Sequence, residues 1–215
     1  MLKAVIMDFD GVIIDTEVVW YRIFADWFRK NKSYELSVQE FLSCVGSNSD
    51  DLFDALEKKN IVIDRHQFAE DTTSSFVEQS DILPPKEGVV DFIEAVKSRG
   101  LKLALATSAT RLKPVKHLTR LGLIDRFDEL VTAEDVKRIK PYPDLFLTAA
   151  EKLNVKPDQV LVIEDSRNGL IAGVNAKMRT LIVPNDVTRY SELQDFYYRA
   201  DSLTEVDVDK LLAEF

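Results

Sequence analysis

Residues 4–11 read AVIMDFDG, and this stretch decides the fold of the chain. The apolar run Val5–Met7 predicts a buried strand, and Gly11 predicts the turn that ends it. Asp8 and Asp10 therefore follow the carboxyl end of a strand, which is where twisted parallel sheets bind their ligands. The placement of these two aspartates predicts a reaction site at that edge of a sheet.

Short apolar runs alternate with helical patterns along the rest of the chain. This alternation predicts an α/β fold with a Rossmann-like parallel sheet, in which helices connect successive strands. The expected strands are Lys3–Asp8, Leu101–Thr107, Glu129–Thr132, Val160–Glu164 and Thr180–Val183. The expected helices are Gly88–Arg99, which precedes the second strand, and Lys113–Leu121, Pro143–Leu153 and Gly169–Ala176, which lie between the later strands.

The segment between the first two predicted strands has no convincing strand pattern. Its apolar residues follow helical spacing, as Trp20 and Phe24 illustrate. A connection of about 70 residues is far too long for a simple crossover. We therefore predict an α-helical cap domain at residues 15–84, inserted into an α/β core domain formed by residues 1–14 and 85–215. A cap inserted there would cover the carboxyl edge of the sheet, where it can exclude water and select the substrate.

Composition and charge exclude several classes of function. The chain has 215 residues, of which 46% are hydrophobic and 30% are charged, as in soluble globular proteins. Its formal net charge of −9 argues against a nucleic-acid partner, which requires a basic face. No apolar run approaches the roughly 20 residues of a membrane span, and a strand beginning by Ala4 leaves no room for a signal peptide. With Cys44 as the one cysteine, we expect a cytoplasmic monomer without disulfides, nucleic-acid partner or membrane partner.

Polar side chains follow the other predicted strands as well. Thr107 and Ser108 follow the second strand, Glu164 and Asp165 follow the fourth, and Lys140 lies beyond the third in a proline-bounded turn. Because the carboxyl ends of parallel strands meet at one edge, these groups should lie beside the first aspartate pair. Carboxylates about 4 Å apart repel by about 4 kcal/mol per pair at an effective dielectric of 20. The cluster therefore favours Mg²⁺ with oxygen ligands and a phosphoryl group that binds to the lysine, a hydroxyl and backbone N–H groups.

Four stretches in order carry a family resemblance. Residues 8–12 (DFDGV), Thr107, residues 140–144 (KPYPD) and residues 164–169 (EDSRNG) resemble the four motifs of the haloacid dehalogenase-like hydrolase superfamily. The helical segment after the first motif resembles the α-helical cap of the β-phosphoglucomutase-like phosphatase branch. The resemblance spans almost the whole chain, and motifs in this order and strand context form a specific signal.

The resemblance implies chemical roles at the sheet edge. Asp8 is expected to be the nucleophile that forms an aspartyl-phosphate. Asp10 is expected to be the general acid for the leaving alcohol and then the general base for water. Thr107 and Lys140 are expected to hold the transferring phosphoryl oxygens, and Ser108 is expected to add its backbone N–H.

The resemblance also implies a metal site for Mg²⁺. The expected ligands are Asp8, the backbone carbonyl of Asp10, and Asp165. Glu164 is expected to bind the ion directly or through water. Together with the phosphoryl contacts, this arrangement implies catalysis by positioning and charge stabilisation.

Departures from related branches favour one activity. Asp10 favours phosphate over halide chemistry, since dehalogenases of the superfamily lack the second aspartate. The mutase branch typically carries a histidine five residues after the position of Asp15 and an arginine three residues after a cap glycine. This chain has Trp20 and, after Gly46, Ser49 at those places. We expect a Mg²⁺-dependent phosphatase acting on a small phosphorylated metabolite, such as a sugar or polyol phosphate. A phosphosugar mutase and a non-catalytic binding module on this fold are the alternatives.

Six residues of the predicted cap are candidates for substrate contacts, and they are Thr16, Glu17, Trp20, Gly46, Ser47 and Asn48. Trp20 could belong to the cap core, to the substrate pocket, or to both. Cys44 is expected to be a small buried apolar residue, and His117 is assigned no role.

Overall fold

The computed structural model describes residues 1–46 and 48–215, so Ser47, a predicted substrate contact, lies outside the described residues. Within them, a parallel sheet has six strands in the order β3-β2-β1-β4-β5-β6. The strands are β1 Ala4–Met7, β2 Lys102–Ala106, β3 Glu129–Val131, β4 Val160–Glu164, β5 Arg179–Ile182 and β6 Tyr198–Arg199. This architecture confirms the predicted α/β fold.

The helices fall into two groups along the chain. Five lie between β1 and β2, and they are α1 Thr16–Lys32, α2 Val38–Phe41, α3 Asp50–Glu57, α4 Arg65–Ser80 and α5 Val89–Ser98. The others connect or follow later strands, and they are α6 Leu112–Arg120, α7 Asp144–Lys152, α8 Arg167–Asn175 and α9 Val208–Glu214. Across the described residues, no helix combines the length and apolar character that a membrane span requires.

Strand β1 lies at the centre of the sheet, and polar residues of the predicted site follow its carboxyl end. Its four residues are completely buried, and they alternate between a cluster containing Val5 and Met7 and a cluster containing Ala4 and Ile6. Met7 is in register with β2 on one side and with β4 on the other. Because the strands run parallel and in register, the residues that follow them reach the same edge of the sheet. We call this the carboxyl edge.

The five strands expected from the sequence are present within one or two residues, whereas β6 was not predicted. Tyr198–Arg199 is only two residues long and exposed, so it carries neither an apolar run nor an alternating pattern. Helix α8 begins at Arg167, two residues earlier than expected. The Ser166 side chain accepts a hydrogen bond from Gly169 N and so caps the helix at that point.

Helices α1–α4 form a segment, here called the insert, that packs around aromatic side chains. Phe24, Phe41 and Phe68 are buried together, and the rings of Phe24 and Phe68 meet edge to face with centroids 4.7 Å apart. Trp27 closes the cluster and donates a hydrogen bond from Nε1 to Asp71 Oδ2 at 2.8 Å. These contacts hold the helices of the insert together. Its division from the core at residues 14/15 and 84/85 stays a prediction.

The two segments that join the insert to the sheet lie side by side. Lys86 N donates to Ile13 O at 2.8 Å, and Lys86 Nζ donates to Gly11 O at 2.5 Å. The chain therefore leaves the sheet and returns to it at neighbouring points beside the carboxyl edge.

Candidate active site

The carboxyl edge brings together the acidic residues predicted from the strand ends. Asp8 follows β1, Glu164 ends β4 and Asp165 follows it, and all three are almost fully buried. One carboxylate oxygen from each lies within 4.8 Å of the other two. Burial and the neighbouring carboxylates raise the pKa of both Asp8 and Asp165 above the usual range. Three acidic groups that lie this close together and are buried from solvent fit a bound divalent cation.

Lys140 lies between two of these carboxylates. Its Nζ is 2.6 Å from Asp8 Oδ1 and 2.6 Å from Glu164 Oε1, and only 1% of the side chain is exposed. Burial alone would lower the pKa of Lys140, but the two carboxylates raise it above its usual value. The residue is therefore a permanent cation in the acidic cluster.

Glu164 has hydrogen-bond partners on both of its oxygens. Oε1 pairs with Lys140, while Oε2 accepts from Asp165 N at 3.0 Å, Ser166 N at 3.1 Å and Ser166 Oγ at 3.0 Å. Gly169 packs directly against this carboxylate, since a Cβ there would lie 1.8 Å from Oε1. The glycine of the fourth motif is therefore required by close packing on Glu164.

Asn185 holds Asp165, and the sequence analysis missed it. Its Nδ2 donates to Asp165 Oδ2 at 2.9 Å, and its Oδ1 accepts from Val187 N at 2.9 Å and Thr188 N at 2.8 Å. The side chain is buried, and the turn after β5 fixes its direction. A polar residue just after a predicted strand was the available signal, because every other site strand has one.

Asp10 has two oxygens in different surroundings. Oδ1 accepts from Thr16 Oγ1 and from Lys113 Nζ, the latter at 2.5 Å. No described residue donates a hydrogen bond to Oδ2, and Asp10 lines the neighbouring cavity. The carboxylate is thus anchored by one oxygen and offers the other to a ligand. Lys113 was expected only as the start of a helix, since an isolated lysine in a helical pattern carries no functional signal.

Thr107 and Ser108 lie where β2 meets the cavity, as predicted. Thr107 is buried, and its Oγ1 accepts from Ala109 N at 3.1 Å, which leaves its O–H to donate to a ligand. Ser108 Oγ instead donates to Gly46 O at 3.1 Å and so links the core to the insert. Gly46 also needs its lack of a side chain, because a Cβ would lie 2.3 Å from Ser166 Oγ.

A cavity of about 330 Å³ opens between the carboxyl edge and the insert. The cap candidates Glu17, Trp20, Gly46 and Asn48 line it. Thr16 is not among the lining residues and contacts Asp10 instead. The Trp20 ring stacks on Phe76 with centroids 3.8 Å apart, and it also faces the cavity. Trp20 therefore belongs both to the packing of the insert and to the pocket wall.

Glu17 and Cys44 line the same cavity with buried polar groups. Burial, followed by the charge of Asp10, raises the pKa of Glu17 to about 8. Burial therefore favours the neutral, protonated form of this carboxyl group, which can donate a hydrogen bond to a ligand. Burial also raises the pKa of the Cys44 thiol, which donates to Phe41 O at 3.0 Å. A thiol in that state is a packing group rather than a nucleophile.

A family model described as haloacid dehalogenase-like hydrolase matches residues 5–183. The chain belongs to this family. It is 35% identical over 179 residues to the phosphorylated carbohydrates phosphatase of Thermotoga maritima, covering 81% of this chain and 82% of that protein. It is 33% identical over 199 residues to hexitol phosphatase B of Escherichia coli K12, covering 85% of this chain and 84% of that protein.

Among solved structures, β-phosphoglucomutase from Clostridium difficile superposes with a TM-score of 0.83. The two chains are 26% identical, and the match covers 100% of this chain and 97% of that one. Membership in the haloacid dehalogenase-like hydrolases confirms the predicted family and the predicted hydrolase class. Relatives named as phosphatases are consistent with an enzyme that acts on phosphorylated substrates.

Proposed function

We propose that this hydrolase is a Mg²⁺-dependent phosphatase acting on a small phosphorylated sugar or polyol. The observation that carries the proposal is the pairing of two aspartates in different settings. Asp8 is buried against Lys140, whereas Asp10 lines the cavity and has one oxygen that accepts no hydrogen bond from the described residues. Phosphoester hydrolysis requires both a nucleophile held beside positive charge and a nearby group that moves a proton.

The acidic cluster fits a divalent cation held by oxygen ligands. One lysine cannot offset three buried carboxylates whose oxygens lie within 4.8 Å of one another. Asp8, Asp165 and the backbone carbonyl of Asp10 would hold Mg²⁺. The hydrogen bonds on both oxygens of Glu164 favour an indirect contribution, through Lys140 or a water. When bound, the ion supplies positive charge to the phosphoryl oxygens.

Different residues of the chain perform the separate steps of the proposed reaction. The Asp8 carboxylate attacks phosphorus, the phosphoester bond breaks, and an aspartyl-phosphate forms. Asp10, as general acid, gives a proton to the leaving alkoxide. It then accepts a proton from the water that hydrolyses the acyl phosphate and regenerates Asp8. Lys140, the Thr107 hydroxyl and the Ser108 N–H hold the phosphoryl oxygens during both steps.

The substrate class rests on the relatives and on the cavity. Proteins named for phosphorylated carbohydrates and hexitols are among the relatives, and the cavity volume suits a small metabolite. In this proposal residues 15–84 act as a cap that selects the substrate over a core of residues 1–14 and 85–215. We further propose a cytoplasmic monomer without nucleic-acid partners, which the net charge of −9 supports.

Phosphate release tests the proposal. Purified protein with Mg²⁺ is expected to release inorganic phosphate from p-nitrophenyl phosphate and from members of a panel of sugar and polyol phosphates. Treatment with a chelator should abolish release, and added Mg²⁺ should restore it. No release from any compound in the presence of Mg²⁺ would contradict the proposal.

Similarity to a β-phosphoglucomutase over the full chain favours a second candidate, a phosphosugar mutase. Trp20 and Ser49 stand where that branch typically has a histidine and an arginine, which supports transfer to water instead. Phosphorus NMR of a sugar 1-phosphate separates the two reactions. We expect free phosphate to accumulate, whereas an isomerised sugar phosphate with little free phosphate would favour the mutase.

A further inference from the structure

Lys113 joins the reaction centre to the insert. Its Nζ lies 2.5 Å from Asp10 Oδ1 and 4.8 Å from the ring centroid of Phe76. Phe76 stacks in turn on Trp20. Contacts with a carboxylate and an aromatic face restrict a side chain that is otherwise flexible. The ammonium group is therefore fixed on the cavity wall, beside the proton-transfer residue.

The Lys113 ammonium retains hydrogen-bonding capacity toward the cavity. It has three N–H donors, and among the described residues only Asp10 accepts one. The other arginine or lysine of the described cavity lining is Arg65. Its guanidinium is already engaged by Asp50, at 2.7 Å, and by Asp54. Lys113 is thus the cation of the described lining that both contacts Asp10 and keeps two donors for a ligand.

The position of Lys113 relative to Asp10 indicates which substrate atom it reaches. Asp10 binds Lys113 through Oδ1, and in the proposed reaction its Oδ2 serves the ester oxygen. An ester oxygen on Oδ2 would lie about two hydrogen-bond lengths from Nζ. An oxygen on the carbon next to the phosphoester carbon lies about one hydrogen-bond length from the ester oxygen and can therefore reach the space between these points. The Lys113 ammonium group can therefore donate a hydrogen bond to this substrate atom.

The charge around the site indicates what kind of oxygen this is. Asp8, Asp10, Glu164 and Asp165 carry as much negative charge as Lys113, Lys140 and the proposed Mg²⁺ carry positive charge, so the phosphoryl group of the substrate itself brings a surplus of negative charge. A second anionic group on the substrate would add to a surplus of negative charge. A neutral hydroxyl accepts the hydrogen bond without that electrostatic cost.

We propose that Lys113 binds a neutral hydroxyl on the carbon next to the phosphoester. It thereby selects hydroxylated monophosphates over plain alkyl phosphates and over phosphorylated carboxylic acids. This inference rests on the proposed phosphatase function and specifies its substrate class. The aromatic rings of the insert then cover the carbon skeleton beyond that hydroxyl.

Three small substrates test the inference, namely propyl phosphate, glycerol 1-phosphate and phosphoglycolate, each assayed with Mg²⁺. The wild-type protein is expected to have the highest kcat/KM for glycerol 1-phosphate. Lys113→Met keeps most of the stem and removes the donors. It should lower kcat for all substrates through Asp10, and it should also raise KM for glycerol 1-phosphate. The ratio of kcat/KM values between glycerol 1-phosphate and propyl phosphate should fall about tenfold, which is the effect of one charged hydrogen bond.

Lys116→Met is the matched control, because it removes the same charge from the same helix. Lys116 is exposed, pairs with Asp81 and does not line the cavity. The substrate ratio should stay at its wild-type value in this variant. Lys113→Arg should recover part of the ratio, since it restores a donor.

Different outcomes contradict different claims. An unchanged ratio in Lys113→Met, with activity lost equally on all substrates, would show that Lys113 acts only through Asp10, and it would overturn the inference. A wild-type preference for phosphoglycolate would overturn the charge argument. Both outcomes leave the phosphatase proposal intact. That proposal fails, and the inference with it, if none of the three substrates nor p-nitrophenyl phosphate releases phosphate.

Discussion

The two walls of the cavity differ in what holds them together. On the core side, the lining residue Asp8 pairs with Lys140, which in turn pairs with Glu164, and these ion pairs and hydrogen bonds leave little freedom. On the insert side, Trp20 and Phe68 are held by ring packing. Directional bonds specify atomic positions, whereas ring packing specifies volume and shape. The core wall therefore suits chemistry that any phosphoester shares, and the insert wall suits the choice among phosphoesters.

Replacing the nucleophile should have the largest effect. Asp8→Asn keeps the shape of the side chain but cannot attack phosphorus, so kcat should fall at least about a thousandfold on every substrate. Its melting temperature should not fall, because a carboxyl whose pKa is raised by burial is replaced by a neutral group. Phosphate release and calorimetry measure the two effects. Activity within tenfold of the wild type would remove Asp8 as the nucleophile.

Removing the buried cation should affect stability as well as activity. Lys140→Met leaves Asp8 and Glu164 facing each other without compensation. The free energy of unfolding should therefore fall by about 3 kcal/mol in urea titrations. Lys3→Met, which removes an exposed lysine, is the control and should change it by less than about 0.5 kcal/mol. Equal stability of the two variants would contradict the importance of the buried pairings.

Asn185 contacts the expected metal ligand Asp165 and not the substrate, so its substitution tests the support of the core wall. Asn185→Leu removes the hydrogen bond that orients Asp165, so Mg²⁺ affinity should fall about tenfold. Titration calorimetry of Mg²⁺ into the substrate-free protein measures this directly, independently of turnover. An unchanged affinity in a folded variant would show that Asp165 needs no such support.

A substitution in the insert wall should change selection more than chemistry. Trp20→Leu removes the ring that stacks on Phe76 and faces the cavity. We expect KM values across the substrate panel to change unequally, by up to about fivefold, while kcat on p-nitrophenyl phosphate changes less. An equal loss of kcat on every substrate would contradict the proposed distinction between the two walls.

A pH-dependent contact of the insert far from the chemistry should have the smallest effect. Partial burial opposes the ionisation of Glu40, yet hydrogen bonds from Lys59, Tyr34 and Ser37 hold its pKa at about 2. Because the folded-state pKa lies below the ordinary value of 4.5, the stabilisation is present above pH 4.5 and is lost as pH falls toward 2. Glu40→Gln should cost about 1 kcal/mol at pH 7 and almost nothing near pH 2. Denaturant titrations at both pH values measure this, and a cost that does not depend on pH would contradict it.

The sequence predicted the core wall better than the insert wall for a physical reason. Asp8, Glu164 and Asp165 follow apolar runs, and parallel strands bring such positions to one edge. Lys113 and Asn185 gain their importance only from contacts made in three dimensions. One reaches Asp10 from a separate helix, and the other reaches Asp165 from a turn. The periodicity of the strands cannot predict that Lys113 contacts Asp10 or that Asn185 contacts Asp165.

The two neighbouring segments that join the insert to the sheet affect how the sequences of related proteins can diverge. The hydrogen bonds from Lys86 to Ile13 and Gly11 close the insert into what is topologically one long loop of the α/β core. The length and sequence of that loop can change without altering the order of strands or the groups at their carboxyl ends. Under the proposed function, substitutions in the insert can therefore change which substrates bind while the reacting groups stay the same, because the two sets of residues lie in separate parts of the chain.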